Sequence, residues 1–409
     1  MKTKYYLNSS SLSNTIFICI IISIFCGCLV LISHYQNLLI DKLEFNDELI
    51  NNSNSSFNYF LANYSKSDNE TLSIDIFESG ITTTGSIKKW GFYNILSTTT
   101  VFKNDTIFKS SLIGSTTNKN DNLALYVTNY DKPIKASGES VISGTIKIPN
   151  GKIERGYIDN KIKNSLTING NQLESDDKIP EIEKVFDYDL FESEKVSLDD
   201  FDSTSIFNDF YGKTLVIDVS GNSYIDNFSL KGNIILFSTT DMVIGKNNTV
   251  EDVLVIAPSI TIGDYFTGNM QILAKQTVEI NENVQLKYPS SIYVENDIDS
   301  VKVSIKSHSK IAGGIVINGN TYNGSLKRQL ILEPDSEVIG DVYCFGRTML
   351  QGEIKGTIYT DRFFLKTKSS EYENMIQNCK IYRDSLPEHF VRLPLFNTKN
   401  SKYEIIKEF

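Results

Sequence analysis

The sequence predicts a mainly β protein, a parallel and right-handed β-helix (a β-solenoid) behind an N-terminal transmembrane helix. One observation is a short motif, a polar or Gly residue followed by a three-residue strand. It recurs through residues 233–360 about every 16–27 residues, the spacing expected for one turn of a solenoid. The other is an uncharged apolar run over residues 15–33, long enough to cross a bilayer. Uneven turn lengths favour the right-handed form.

The repeated motif has mostly aliphatic residues at both ends of its strand. Between successive copies lies a second apolar strand, as at residues 242–244 and 260–262, and several turns carry a third, as at residues 336–340. Three strands per turn predict a triangular coil. The copies of the motif occupy residues 233–236, 252–255, 269–272, 291–294, 314–317, 341–344 and 357–360.

Side chains alternate across a strand, so the two outer strand residues of each motif share one face and the middle residue takes the other. The shared face carries branched aliphatic residues and is predicted to fill the interior of the coil. The middle residues are expected to point outward, yet six of the seven are apolar or aromatic. Either another part of the chain covers them, or they form an exposed surface for assembly or ligand binding. The predicted interaction surface comprises Ile235, Leu254, Tyr293, Val316, Tyr343 and Tyr359.

The apolar run at residues 15–33 predicts a single-pass protein of the cell membrane, with the lipid bilayer as its first partner. Lys2 and Lys4 precede the run, and no acidic residue occurs before Asp41. The positive-inside rule therefore places residues 1–14 in the cytoplasm and the ectodomain in the periplasm or outside the cell. A cleaved signal peptide is the alternative, but no small-x-small cleavage site follows the run.

Residues 34–64 lack Pro and Gly and carry Leu39, Leu43 and Ile50 at near-helical spacing, which predicts a helical stalk beyond the membrane. The Asn and Ser cluster at residues 51–56 is expected to fray or bend this stalk. A long helix with its first half in the membrane resembles the plan of type IV pilins and pseudopilins. Their Gly-Phe processing site and the glutamate beyond it are absent here.

Residues 65–137 are predicted to form a small β region or cap, because stretches such as residues 72–77 alternate apolar and polar side chains. Such a cap would shield the end of the solenoid, which otherwise exposes unpaired backbone. The β-helix is assigned to residues 138–366, since residues 138–148 repeat the spacing of Gly and aliphatic residues in the late turn at residues 352–359.

An acidic insertion into the coil is predicted at about residues 161–212, because residues 174–209 hold thirteen acids and three lysines. We expect a flap of loop and short helix that leaves the coil. Asp199, Asp200 and Asp202 offer the oxygen ligands that Ca²⁺ prefers, but no EF-hand or repeat signature accompanies them. A solvated acidic surface is therefore favoured over a metal site.

After residue 366 the repeat fades, and residues 367–409 are expected to form a C-terminal cap or tail. Outside the apolar run the only cysteines are Cys344 and Cys379. An oxidising compartment would permit a disulfide between them. Cys344 falls in the inward column, however, which favours a buried free thiol.

Composition and motifs argue against most catalytic classes. The net charge of −10 and the lack of a basic cluster exclude nucleic acid as an expected partner. The three histidines are widely separated, so they predict neither a metal site nor a catalytic base beside a nucleophile. No Walker loop, dinucleotide fingerprint or Cys-x-x-Cys pair occurs. We therefore expect no catalytic residue, no metal and no cofactor.

A glycan-cleaving or glycan-binding β-helix is the enzyme-class alternative, because right-handed β-helices often carry carbohydrate sites on an outer face. A hydrolase needs paired carboxylates at a suitable separation. Asp341, Asp361, Arg347 and Arg362 lie on neighbouring late turns and are the residues that would meet. Single charges at coil corners are common, so a structural role is favoured for them.

Several strings are similar to a family of membrane-anchored proteins of Bacteroidetes bacteria that has no assigned function. The resemblance covers most of residues 1–390 and implies a β-helical ectodomain without a catalytic motif. At the level of fold, the coil also resembles bactofilins, cytoskeletal β-helices that polymerise end to end. The strings that carry the family resemblance are residues 146–158, 253–258, 284–291, 356–360 and 363–367.

The sequence thus favours a non-enzymatic protein of the cell envelope that presents a rigid β-helix for structural or assembly interactions. Its expected partner is another protein or a second copy of itself, in the setting of a pilin-like or secretion apparatus. A glycan is the alternative ligand.

Overall fold

The protein is mainly β, with 52% of its residues in strands, and an apolar helix precedes the strands. The predicted class, mainly β behind an N-terminal apolar helix, is confirmed in this form. The computed structural model describes residues 9–63, 72–116, 122–157, 165–182, 194–297, 300–319, 327–387, 390–396 and 402–409.

The helix α1 spans Ser9–Ala62, and the strands follow in chain order. They are β1 (Leu72–Ile74), β2 (Thr82–Trp90), β3 (Tyr93–Phe102), β4 (Asp105–Thr116), β5 (Leu123–Val127), β6 (Ile134–Ser137), β7 (Glu139–Ser143), β8 (Thr145–Ile148), β9 (Ile153–Arg155), β10 (Ser165–Asn169), β11 (Gln172–Glu174), β12 (Lys195–Ser197), β13 (Ser205–Asn208), β14 (Leu215–Asp218), β15 (Tyr224–Ile225), β16 (Ser229–Gly232) and β17 (Ile234–Phe237). The later strands are β18 (Met242–Ile244), β19 (Thr249–Glu251), β20 (Val253–Ile262), β21 (Thr267–Gly268), β22 (Met270–Ile280), β23 (Gln285–Glu295), β24 (Val301–Ile305), β25 (Lys310–Asn318), β26 (Arg328–Leu332), β27 (Glu337–Leu350), β28 (Glu353–Lys355), β29 (Ile358–Lys366), β30 (Glu371–Glu373), β31 (Met375–Gln377), β32 (Lys380–Tyr382) and β33 (Lys402–Glu408).

The chain forms two compact units. One, called here the helix unit, comprises Met1–Phe60, Leu72–Gly85 and Thr98–Phe108. The other, called the stack unit, comprises Leu61–Thr71, Ser86–Ser97 and Lys109–Phe409.

In the helix unit, the second half of α1 packs against the strands. Phe57 is buried, and the ring of Phe45 lies 4.8 Å from that of Phe102. Phe60 covers Gly85, where an added Cβ would come within 2.8 Å of the ring, so this strand position requires glycine. The strands therefore hold α1 by close aromatic packing.

The predicted fraying at residues 51–56 is wrong, because α1 passes through them as helix. Their small polar side chains turn towards the strands. Ser53 and Ser56 are buried, and the Asn52 amide donates a hydrogen bond of 3.1 Å to Ser79 Oγ.

Most strands of the stack unit pair in parallel, whereas β30 on β29 and β33 on β4 are antiparallel. Along the parallel strands, one residue of each strand lies directly above its counterpart in the next. These residues form the inward column, and all are fully buried branched aliphatics. The predicted aliphatic interior is confirmed. In stacking order the inward column is Leu236, Val255, Ile272, Ile292, Ile315, Val342, Ile358, Leu125 and Ile146.

Long strands pair with different partners along their length. In β22, residues 271–274 pair with residues 291–294 of β23, whereas residues 277–280 pair with residues 302–305 of β24. The parallel pairings run from β22 through β24, β26, β27, β25 and β23 back to β22. Six strands thus form a closed parallel circuit, to which further strands add.

The stacking order differs from the chain order, because the late strand β29 pairs with the early strand β5, and β5 pairs with β8. Parallel pairing therefore begins at Leu123, before the predicted start at residue 138. It also includes β31 and β32, beyond the predicted end at residue 366. The pairings of β5 with β29 and of β31 with β6 join residues more than two hundred positions apart, and pairing at that distance leaves no repeat spacing in the sequence.

The predicted acidic insertion at about residues 161–212 contributes several described strands to the stack. Strands β10 and β11 pair with β7 and β8, and β12 and β13 pair with β14 and β16. The expected flap that leaves the coil is wrong for these strands. Residues 161–164 and 183–193 of the predicted insertion lie outside the described residues.

Three stacked glycines mark one corner of the stack. Gly313 is paired with Gly340, and Gly340 and Gly356 have φ values of +128° and +153°. An added Cβ on Gly340 would lie 2.0 Å from the carbonyl oxygen of Gly313, and one on Gly356 would lie 1.9 Å from that of Gly340. Strand spacing at this corner therefore leaves no room for a side chain.

We expect Gly340→Ala to lower the free energy of unfolding by at least about 2 kcal/mol, because the new methyl group meets backbone that cannot move away. The measurement is chemical denaturation monitored by circular dichroism. Gly221→Ala is the matched control, since an added Cβ there has no atom within 4 Å. Equal midpoints for the two variants would contradict the close corner packing.

Candidate functional site

The six residues of the predicted interaction surface lie in two adjacent columns rather than one. The structure pairs Gln271 with Ser291 and Leu273 with Tyr293, so the register between these two strands differs by two residues from the predicted one. Ile235 and Leu254 continue to Gln271. The second column contains Leu273, Tyr293, Val316, Tyr343, Tyr359 and Tyr126.

All six predicted surface residues are buried, and none is more than 5% exposed. The prediction of an open interaction surface is therefore wrong, because other parts of the stack unit cover these columns and remove their apolar area from water. The Phe92 ring meets Tyr293 edge-on at 5.6 Å, and the Phe396 ring lies 5.0 Å from Tyr359. The remaining covering residues include Trp90, Tyr93, Ile95, Leu112, Phe210, Leu393 and Leu395.

Tyrosine hydroxyls hold a segment of chain across the second column. Tyr126 Oη donates to the carbonyl of Lys178 at 2.7 Å and accepts from the Asp176 N–H at 3.2 Å. Tyr343 Oη donates to the carbonyl of Pro180 at 3.0 Å. Tyr126 was missed by sequence reasoning, although the string Leu-Ala-Leu-Tyr-Val around it has the apolar character of the repeated motif.

The single polar residue among the middle positions explains how the cover is fixed. Gln271 Nε2 donates to the Trp90 carbonyl at 3.0 Å, and Gln271 Oε1 accepts from the Phe92 N–H at 2.8 Å. Gly91 between them has φ +62°, and an added Cβ would overlap the Gln271 amide. One buried amide thus satisfies the backbone of the covering turn, as a buried polar group requires.

The four charged residues predicted to meet each have a different partner. Asp341 pairs with Arg392, and Arg347 binds Glu371. The Arg362 guanidinium lies 4.1 Å from the centroid of the Tyr130 ring. These contacts give Asp341, Arg347 and Arg362 structural roles. None of the contacts brings two carboxylates together in the way that glycoside hydrolysis needs.

The ion pair between Asp341 and Arg392 is buried, with side chains 3% and 9% exposed. Arg392 Nε donates to Asp341 Oδ2 at 2.8 Å, and Arg392 Nη2 donates to Thr357 Oγ1 at 2.7 Å. The guanidinium fork suits this bidentate contact. It fixes residues 390–396 against the stack, so Asp341 holds the covering segment in place.

Asp361 is the fourth residue of the predicted group and is almost fully buried. Its Oδ1 accepts a hydrogen bond of 2.9 Å from Thr128 Oγ1. Burial raises the pKa of this carboxyl to about 7, against the opposing effects of the Thr128 bond and of Arg362 and Arg328. A carboxyl that titrates near neutrality is a candidate for a pH-dependent role.

The alternative calcium site finds no support in the part of the chain that the structure describes, which contains no group of three or more His, Cys, Asp or Glu residues able to hold a metal ion. Asp200 instead accepts a hydrogen bond of 2.9 Å from the Ser197 N–H and caps its own turn.

Cys344 and Cys379 are buried free thiols, and burial raises the pKa of each to about 12.

Within the described residues, one helical segment, Leu12–Ala62, contains a stretch long and apolar enough to cross a membrane. That stretch is not buried in the protein. The finding fits a single-pass anchor, and a signal sequence near the N-terminus would meet the same criterion.

Comparisons with known proteins provide little further information. No protein-family model matches the chain, and no curated protein matches it. Among solved structures, it is similar to the competence-associated pilin ComZ from Thermus thermophilus, with 9% identity, a TM-score of 0.22, and coverage of 84% of this chain and 86% of that chain. A likeness at this score carries no argument about fold or function.

We expect Asp341→Ala to lower the free energy of unfolding by about 3–5 kcal/mol, because it leaves the buried Arg392 charge without its partner. Thermal and chemical unfolding provide the measurement. The double variant Asp341→Asn/Arg392→Met removes both charges and should recover part of the loss.

The matched control is Glu353→Ala, which breaks a partly exposed pair with Lys355 at 3.5 Å. We expect a cost of about 0–1 kcal/mol there. If Asp341→Ala costs no more than this control, the pair does not hold the covering segment.

Proposed function

We propose that this protein is a non-enzymatic, single-pass protein of the cell envelope that presents a rigid β-helix for structural or assembly interactions. The observation that carries the proposal is the helix α1, of 54 residues, which has two kinds of surface. Its first part is apolar and exposed, whereas Leu49, Phe57 and Phe60 in its second part are buried against strands. Such a helix serves as an anchor at one end and as a structural element at the other.

The exposed part of α1 is the membrane anchor in this proposal. Ile20, Ile24 and Leu29 are each at least half exposed, an arrangement that is costly in water and favourable in lipid. Lys2 and Lys4, ahead of the apolar run, favour a cytoplasmic N-terminus. The strands then lie on the other side of the membrane, in the periplasm or outside the cell.

The stack unit is a β-helix in this proposal, and the closed circuit of six strands is a consequence of bending at its corners. In a barrel, one strand keeps the same two neighbours along its length. Here β22 changes from β23 to β24 halfway along, as expected where each strand turns a corner of a coil. The inward column of in-register aliphatics supports the same assignment. The uneven spacing of the repeats favours a right-handed coil.

The partner in this proposal is another protein or a second copy of the chain, in the setting of a pilin-like or secretion apparatus. The support is the plan of the helix unit, where α1 continues from an apolar exposed half into a half packed on antiparallel strands. With the two outward columns covered, the recognition surface is formed by the covering segments and the remaining coil faces.

A glycan-binding β-helix is the second candidate, and exposed aromatic rings favour it. Phe207, Tyr224 and Tyr265 on the stack unit are 73%, 55% and 67% exposed. Singly exposed rings are normal on protein surfaces, so this candidate depends on these rings contacting sugar. The structural role of Asp341 leaves binding as a better-supported activity than cleavage.

The anchor is tested by membrane extraction of the full-length protein. We expect the wild type to remain in membranes after alkaline carbonate treatment, because its apolar helix is embedded in lipid. Ile20→Lys/Ile24→Lys should move it towards the soluble fraction, since each charge at mid-bilayer costs about 3 kcal/mol. Leu38→Lys/Leu39→Lys, beyond the apolar run, is the matched control. Release of the wild type itself would refute a retained anchor.

The partner class is tested by chemical crosslinking of tagged full-length protein in native membranes, followed by mass spectrometry, and by binding of the same protein to a polysaccharide panel. A specific protein partner or a homo-oligomer supports the assembly role. Polysaccharide binding that Phe207→Ala or Tyr224→Ala weakens at least tenfold, without a crosslinked protein partner, would replace it with the glycan-binding candidate.

A further inference from the structure

The stack unit is completed by a contact between an early and a late part of the chain, called here the β5–β29 joint. Leu125 pairs with Ile358, and Val127 pairs with Thr360. The Thr128 N–H donates to the Thr360 carbonyl at 3.2 Å. Thr357 Oγ1 donates to the Leu123 carbonyl at 2.6 Å. No short loop connects these two strands. The joint is therefore held by contacts between the strands in space and not by a direct chain connection.

Asp361 lies inside this joint and links its two sides. The residue is 1% exposed, and its Oδ1 accepts a hydrogen bond from Thr128 Oγ1 across 233 positions of sequence. Its Oδ2 is buried and has no hydrogen-bond partner among the residues that the structure describes. A neutral carboxyl tolerates this environment, whereas an ionised carboxylate with one unsatisfied oxygen is costly to bury.

Charged and titratable groups reach Asp361 from each neighbouring strand. Arg328 of β26 and Arg362 of β29 favour the ionised form, and the Cys344 thiol of β27 is also electrostatically coupled to it. The Thr128 hydroxyl, which follows β5, favours the ionised form as well. Burial outweighs all of these and leaves the pKa of Asp361 at about 7, compared with an ordinary value of 3.8.

We propose that the β5–β29 joint is a pH-sensitive latch, closed while Asp361 is protonated and loosened when this carboxyl ionises. The opened joint exposes Asp361 to water, where it ionises at its ordinary, lower pKa. Between the two pKa values the open form has lost a proton that the closed form retains, so opening becomes easier as the pH rises. Above the higher pKa both forms are ionised, and the effect levels off.

The latch is tested by peptide-resolved hydrogen exchange of β5 in the full-length protein between pH 5 and pH 8. The wild type is compared with Asp361→Asn at each pH, so that the intrinsic pH dependence of exchange cancels. We expect the ratio of the wild-type rate to the variant rate to rise by up to about tenfold per pH unit below neutrality and to level off above it. A ratio that stays constant from pH 5 to pH 8 would overturn the proposal.

Two further variants separate the latch from a general effect of charge. Asp384 accepts a hydrogen bond of 3.0 Å from Ser143 Oγ, also between late and early chain, but it is exposed. Asp384→Asn should therefore leave the wild-type profile unchanged. Thr128→Val removes a bond that favours ionisation, so it should move the levelling point to higher pH. The same pH profile in Thr128→Val as in the wild type would contradict the assignment to Asp361.

Discussion

Parallel backbone pairing between strands that lie directly above one another is the constraint on which the rest of the stack unit depends. Each strand satisfies the N–H and C=O groups of its neighbours, so its register is fixed residue by residue. That register places Ile272, Ile292 and Ile315 in one buried line. It also brings the glycine corners together, since strands at this spacing leave no room for a Cβ between them. The residues that cover the outward columns, and the buried ion pair between Asp341 and Arg392, pack on these strands.

The alternation of side chains along each strand made the interior residues predictable. It did not determine which residue of one strand lies above which residue of the next. Asn269 and Ser291 resemble each other as polar corner residues, which suggested that their motifs stack directly. The structure instead aligns Ile272 with Ile292. A shift of two residues keeps every side chain on its own face, so alternation alone could not distinguish the two registers. Tyr126 and β5 escaped notice for a different reason. On one side they pair with the nearby strand β8, but on the other side they pair with β29, more than two hundred residues away. That second pairing leaves no repeat spacing to detect.

The sequence showed that the outward columns are apolar, but it did not show what covers them. The six apolar middle residues allowed either a cover by another part of the chain or an open surface, and their burial selects the cover. The aromatic rings of Trp90 and Phe92 form part of the cover, and Gln271 bonds the backbone of their turn. Arg392 was not predicted as the partner of Asp341. The spacing of residues in the C-terminal segment does not indicate which strand of the stack unit Arg392 reaches.

The docking of β5 on β29 makes completion of the stack depend on synthesis of β29. A nascent chain emerges from its N-terminus, so residues 123–148 are made long before the strand that receives them. Until then β5 has an unsatisfied edge, which is a hazard for aggregation and a target for proteases. A prematurely terminated chain never acquires its partner strand. Chains truncated before β29 therefore keep an open strand edge that chains containing β29 do not have.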